Sequence, residues 1–204
     1  MHIDFLVEEP SAEAALNNIL PKILGGIITY NIIVHQGKKD LLKKLPNRLR
    51  GYAKWIDDKY KIVVLLDKDS QDCIALKAAL NQTALNAGLK LKIADAAPGY
   101  KYQVLNRIAI EELESWFFGD QIALKKSYPR IPDGEIRSRK YSNPDGITQC
   151  WETLEQLLQK GGYYPSGLPK IENARKVSKH MDIENNSSHS FNIFKKGLQE
   201  LISE

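Results

Sequence analysis

Lys61-Ile62-Val63-Val64-Leu65-Leu66-Asp67-Lys68-Asp69-Ser70 is the stretch that decides how this chain folds. Residues 62–66 are unbroken apolar, the pattern of a strand whose two faces are both covered, as in a parallel sheet. The run then stops at an Asp-x-Asp. A second short apolar run, residues 3–7, stops in the same way at Glu8-Glu9-Pro10-Ser11. In an open α/β sheet the C-terminal ends of parallel strands converge on one crevice, where ligands bind. Carboxylates remote in sequence can meet there. Clustered carboxylates repel one another, and a hard divalent cation such as Mg²⁺ is their usual counter-ion.

The rest of the first half keeps the same alternation. A helix is expected over 11–24 with Ser11 as its N-cap, closed by Gly25-Gly26, then a β-branched strand over 27–34. Residues 40–55 have helical spacing, with Leu41, Leu42, Leu45 and Leu49 on one side. The strand at 61–66 is followed by a helix over 71–87 closed by Gly88, and 89–94 alternates as a further strand. Strands separated by helices favour a mainly parallel sheet with right-handed crossovers. After Ala97-Pro98-Gly99 come a strand over 104–110 and a helix over 111–118. Residues 126–147, with Pro129, Pro132 and Pro144 among Arg130, Arg137, Arg139 and Lys140, read as basic and largely irregular. Helices are expected over 148–159, 171–180 and 190–202. The organisation is an α/β domain at 1–122 and, at 123–204, a basic irregular segment with a helical extension packed on that domain.

Composition narrows the function classes. At 204 residues and 43% hydrophobic, the chain is long enough for a substantial core. Cys73 and Cys150 are far apart, which argues against a zinc site or a disulfide framework. No apolar run approaches the roughly 20 residues needed to span a bilayer, and the opening lacks a secretory pattern. A cytoplasmic protein with no membrane partner is therefore expected. Gly25-Gly26 and Gly161-Gly162 lack the spacing of a phosphate-binding loop. His2, His35, His180 and His189 share no spacing and read as ordinary polar residues.

Two readings compete for the acids. Strand alternation would put Asp67 and Asp69 on one side, facing a common cation. Alternatively Asp69 or Ser70 caps the following helix, with Asp72 in its first turn complementing the macrodipole. In Glu111-Glu112-Leu113-Glu114, Glu111 and Glu114 share a helical face, whereas Glu112 and Glu114 do not. These acids suit a solvated helix N-terminus, with Trp116, Phe117 and Phe118 as core. Glu112, however, repeats the strand-end placement of Glu8 and Asp67. Lys38, Lys39, Lys43, Lys44, Arg48 and Arg50 form either a phosphate-tracking helix face or a solvated one.

A glutamate ending the first strand, then a helix, then a later strand ending in Asp-x-Asp, resembles the Toprim domain of topoisomerases, primases and OLD-family nucleases. Val7-Glu8-Glu9-Pro10-Ser11 and Leu66-Asp67-Lys68-Asp69 carry the likeness. Residues 108–120 (Ile108 to Asp120, through Glu112) are similar to a segment of standalone bacterial Toprim-like proteins. Two departures stand out: Glu9 replaces the family's glycine, and Ala12 stands where many relatives are acidic. The resemblance implies a Rossmannoid sheet and a site of Glu8, Asp67, Asp69 and Glu112 holding Mg²⁺ or Mn²⁺. Lys170, in Leu168-Pro169-Lys170-Ile171, resembles a family lysine that would neutralise charge at a scissile phosphate, although a lone lysine is more commonly a surface group. Ser188-His189-Ser190-Phe191 resembles the turn before the family's last helix.

The resemblance implies a metal-dependent nuclease acting on nucleic acid, DNA in preference to RNA, beside an ATPase in defence or repair. The other reading is a catalytically inactive Toprim-like scaffold of such an ATPase, motivated by Glu9 and Ala12. Phosphatases of the haloacid-dehalogenase kind also use Asp-x-Asp, but after the first strand, which here ends in Glu8.

Overall fold

Alternation along the first strand sorts its side chains into two layers. In the computed structural model, which describes residues 1–26, 28–92 and 100–203, this strand, β1, is His2–Val7. Ile3, Phe5 and Val7 pack into one core with helix α1 (Pro10–Leu24). Leu6 packs into another with Leu41, Leu45 and Leu49 of α2 (Lys38–Tyr52) and Leu76 and Leu80 of α3 (Cys73–Asn86). Strand β3 (Tyr60–Asp67) divides in the same way, Val63 and Leu65 to the first core, Ile62, Val64 and Leu66 to the second. Cover on both faces is why its sequence has no polar side.

With β2 (Thr29–Val34) and β4 (Val104–Ala109), these strands form an all-parallel sheet in the order β2-β1-β3-β4. The chain steps from β1 outward to β2, then returns past β1 to β3. Right-handed crossovers in opposite directions put α1 on one face and α2 on the other. The reversal makes the C-terminal ends of β1 and β3 the switch point where such sheets open a crevice.

Beyond β4 the chain is helical: α4 (Glu114–Phe118), α5 (Gln121–Ser127), α6 (Asp133–Ile136), α7 (Cys150–Lys160), α8 (Lys170–His180) and α9 (His189–Ile202). Helix α8 lies along α1, and α9 packs on β4 and α1, so the extension completes the core on the α1 face. Trp116, Phe117 and Phe118 are buried, Trp116 edge-on to Phe191 at 5.3 Å. Among the described residues no helix is long and apolar enough to cross a membrane.

Four local expectations change. Helix α1 starts at Pro10, not after Ser11: proline's fixed φ suits the first helical position, Glu9 is the N-cap, and buried Ser11 donates its hydroxyl to Glu9 Oε1 at 2.5 Å. Helix α3 starts at Cys73 because Asp72 caps it, accepting from Ala75 N–H at 2.7 Å. Of the expected strand at 89–94, Leu91 makes one parallel bridge to Val104, and β4 pairs directly with β3. Residues 93 and 94, Ala97-Pro98-Gly99 and Ile27 lie outside the described residues. The basic segment at 126–147 is broken into short helical turns anchored by buried Ile131, Ile136 and Tyr141, and Arg130 lies over the Tyr163 ring at 4.1 Å.

The turn before α9 is seated on Gly119, whose carbonyl accepts from Ser187 N–H at 2.9 Å. A Cβ at Gly119 would come within 2.1 Å of Asn186 Oδ1 and 2.8 Å of the Ser188 backbone nitrogen. Gly119→Ala should therefore cost about 1–3 kcal/mol by overpacking, whereas Leu85→Ala, at an exposed position, should be near neutral. Urea denaturation measures both; equal stability of the Gly119 variant and the parent would show that the turn is not held there.

Candidate functional site

The backbone pairing of β3 with β4 runs past the last strand residues. Lys68 N–H donates to the Ala109 carbonyl at 2.8 Å and Asp69 N–H to that of Glu111 at 2.9 Å. These bonds bind the 67–69 turn to the turn that leads into α4. On the other side, Lys38 at the start of α2 donates from Nζ to the carbonyls of Asp67 (2.6 Å) and Lys68 (3.0 Å) and to Asp69 Oδ2 (3.0 Å). Three acceptors from one turn immobilise the Asp-x-Asp. Lys38 thus leaves the expected basic face of α2, Lys44 is paired with Asp40 at 2.8 Å, and Lys39, Lys43 and Arg50 are exposed.

Glu8, directly after β1, is buried, and its carboxyl lies close enough to that of Asp67 for each to perturb the other. Two carboxyls so placed are costly to ionise together. Burial pushes Glu8 up to about 7, and the charge of Asp69 adds to the rise. Asp67 is held well above the usual carboxylate range, first by desolvation and then by the charges of Glu8, Glu114 and Glu9. The pair therefore titrates as a unit. Among the described residues Glu8 Oε2 has no hydrogen-bond partner.

Asp69 is placed differently from Asp67. Strand β3 ends at Asp67, so alternation does not extend to Asp69, whose backbone is left-handed (φ 50°) and whose carboxylate turns outward to Lys38. Asp69 does not cap α3 either; Asp72 does. Past β4 the three glutamates separate. Glu111 pairs with Lys68. Glu112 accepts at Oε2 from Trp151 N–H at 2.8 Å, a free amide in the first turn of α7, and burial raises its pKa. Glu114, expected on a solvated helix terminus, is 2% exposed; burial pushes it up to about 7, and its Oε1 has no partner among the described residues.

Lys170 begins α8, with Nζ 4.9 Å from the centre of the Trp151 ring. Burial works against its charge, yet Glu9, Glu114, Glu112 and Asp67 hold its pKa above the ordinary value. The late lysine thus lies within the field of the strand-end acids. Strand β2 contributes buried His35, whose Nδ1 donates to the Val7 carbonyl at 2.9 Å and whose Nε2 is unpartnered.

The structure thus brings Glu8 and Asp67 together, with Glu114 and Lys170 in their field and Asp69 and Glu112 at the margins. Sequence reasoning passed over Glu114, Lys38, Trp151 and His35 as site residues. Glu114 alone left a trace, as one charge inside the apolar run Leu113–Phe118. Hard oxygen donors with two orphaned buried oxygens suit Mg²⁺, which takes one or two carboxylates and completes its shell with water and phosphate. Among the described residues no three His, Cys, Asp or Glu side chains form a metal-ligand group.

A family model described as a domain of unknown function (DUF4276) matches residues 7–199, so the chain belongs to that family. No curated protein and no solved structure matches it.

The raised carboxyls fix how stability responds to pH. A carboxyl whose folded pKa lies above its unfolded one keeps its proton longer in the native state, so its contribution is present below pH 4.5 and is lost as pH rises through about 7. Glu8→Gln removes that loss. In chelator at pH 8 the variant should melt roughly 4–8 °C above the parent, with the difference shrinking towards pH 4.5. A parent as stable as Glu8→Gln throughout would mean the acid pair is not strained.

Proposed function

We propose that this member of the family is a divalent-cation-dependent phosphodiester hydrolase acting on nucleic acid, DNA in preference to RNA, with a Toprim-like site. One observation carries the reading: Glu8 and Asp67 meet at the sheet's switch point, where burial and mutual repulsion raise both carboxyls, a strain that a hard cation would relieve. Ordinary capping or solvation does not account for a desolvated carboxylate pair.

Glu8 and Asp67 would hold Mg²⁺ or Mn²⁺, with Asp69 and Glu112 completing or orienting its surroundings and Glu114 behind them. Such a cation polarises a phosphate, lowers the pKa of bound water and stabilises a leaving oxygen. The chain's own groups do the rest. Lys170 supplies positive charge where a phosphate would meet the acids. Trp151 N–H fixes Glu112, and Lys38 fixes the 67–69 turn. An ATPase partner that presents the nucleic acid rests on the Toprim resemblance alone.

Displacement of protons that the raised carboxyls retain predicts proton release. At pH 7, titrating Mg²⁺ or Mn²⁺ into the protein in buffers of different ionisation enthalpy should show about one proton released per cation, and none for Asp67→Asn. Plasmid and single-stranded substrates should be cut only with the cation, with cleavage abolished in Glu8→Gln and Asp67→Asn and falling at least about 100-fold in Glu112→Gln. Charge reversal of Lys43 and Lys44 should weaken substrate binding in a salt-dependent way and leave cation binding intact. If no cation yields cleavage and the Glu8→Gln, Asp67→Asn double variant still supports function in cells beside its ATPase, the protein is the scaffold instead.

A further inference from the structure

Helix α3, the outer edge of β4 and α9 border an open concavity of about 370 Å³. Its wall is apolar, formed by Ile74, Ile108, Ile110 and Ile193. Ile74 and Ile193 are 77% and 42% exposed, unusual for isoleucines that face a concavity. The same cavity is lined by two cations, Lys77 and Arg107.

Among the described residues neither cation forms an ion pair, although the Glu200 carboxylate acts on Arg107 through its field. Lys77 Nζ donates to the Asn106 carbonyl. Arg107 donates from Nη1 to that same carbonyl at 3.0 Å and from Nε to the Ile193 carbonyl at 3.2 Å. Burial pushes Lys77 down to about 7, and the charges of Arg107 and Lys92 lower it further. Glu200 is taken by Lys92. Two cations crowded on one carbonyl in an apolar concavity cost free energy unless an anion joins them.

Among the described residues the outer edge of β4 beyond the Leu91–Val104 bridge is unpaired, and the β3–β4 register sets which groups it presents. Residues 105, 107 and 109 turn their backbone groups toward β3, leaving those of Asn106 and Ile108 facing outward. The Ile108 N–H and C=O make no hydrogen bond among the described residues. Small-ligand sites have this composition: mostly apolar walls and a few polar groups that fix orientation.

We propose that this cavity binds a small carboxylic acid with an apolar chain, its carboxylate on Lys77 and Arg107 and its chain against Ile74, Ile108 and Ile193. Octanoate is the probe, with octanol, octylamine and the free-acid dipeptide acetyl-Val-Ile as comparators. Octanoate should shift the methyl resonances of Ile108 and Ile193 in NMR spectra of the full chain and bind at least about tenfold more tightly than octanol. Lys77→Met should reduce its affinity at least about tenfold while leaving octanol unchanged. Ile193→Glu, at a partly exposed position that folding tolerates, should abolish octanoate binding by placing a carboxylate at the rim. Equal affinity for octanoate and octanol, a preference for octylamine, or binding of the dipeptide without octanoate would each overturn the assignment, as would octanoate binding that leaves both methyl signals unmoved.

Discussion

The pairing of β1 with β3 forces the carboxyls of Glu8 and Asp67 against each other, and two such groups in a desolvated crevice cannot both ionise at neutral pH. Much of the surrounding architecture offsets that repulsion. Lys38 grips the Asp67 turn through two carbonyls and the Asp69 carboxylate, and its charge works against the rise of Glu8. Lys170 lies at the N-terminus of α8, where the helix dipole disfavours a cation. The charges of Glu9, Glu114, Glu112 and Asp67 nonetheless hold it protonated. A lysine kept at the wrong end of a helix by four acids is explained by the acids.

This also gives the helical C-terminal part its place in the site. Helix α7 supplies the amide that holds Glu112, and α8 supplies Lys170, which reaches the acids because α8 lies along α1 and Glu9 precedes α1. A sheet with α1–α3 alone would present bare carboxylates. The boundary drawn in sequence at residue 122 therefore falls between groups that lie in one another's field.

How much was legible in the sequence depended on how local the determining physics was. The parallel sheet was readable because burial on both faces leaves a continuous apolar run at 62–66, and the strand ends of Glu8 and Asp67 because each run stops abruptly at an acid. Helix starts shifted by a residue or two where two capping groups competed, as with Asp69 against Asp72. The burial of Glu114 was not legible, because it depends on helices packed from far along the chain. Lys38 shows the same limit: six basic residues near α2 read alike in sequence, and only the fold turns one of them inward to the β3 turn.

A protein selected for stability alone would not keep Glu8, Asp67 and Glu114 as they are. Each is an acid whose ionised form the folded state disfavours, and amides of the same shape would remove that cost. Strain of this kind tends to persist where a function uses it. The contrast with Asp4 sharpens the point. That buried acid, low on the same strand, accepts from Tyr52 at 2.5 Å and Tyr60 at 2.7 Å and is held below the usual carboxylate range despite its burial. The fold can satisfy a buried carboxylate where the task is structural. At the crevice it gives Glu8 another acid for a neighbour and, among the described residues, leaves one oxygen each of Glu8 and Glu114 without a hydrogen-bond partner.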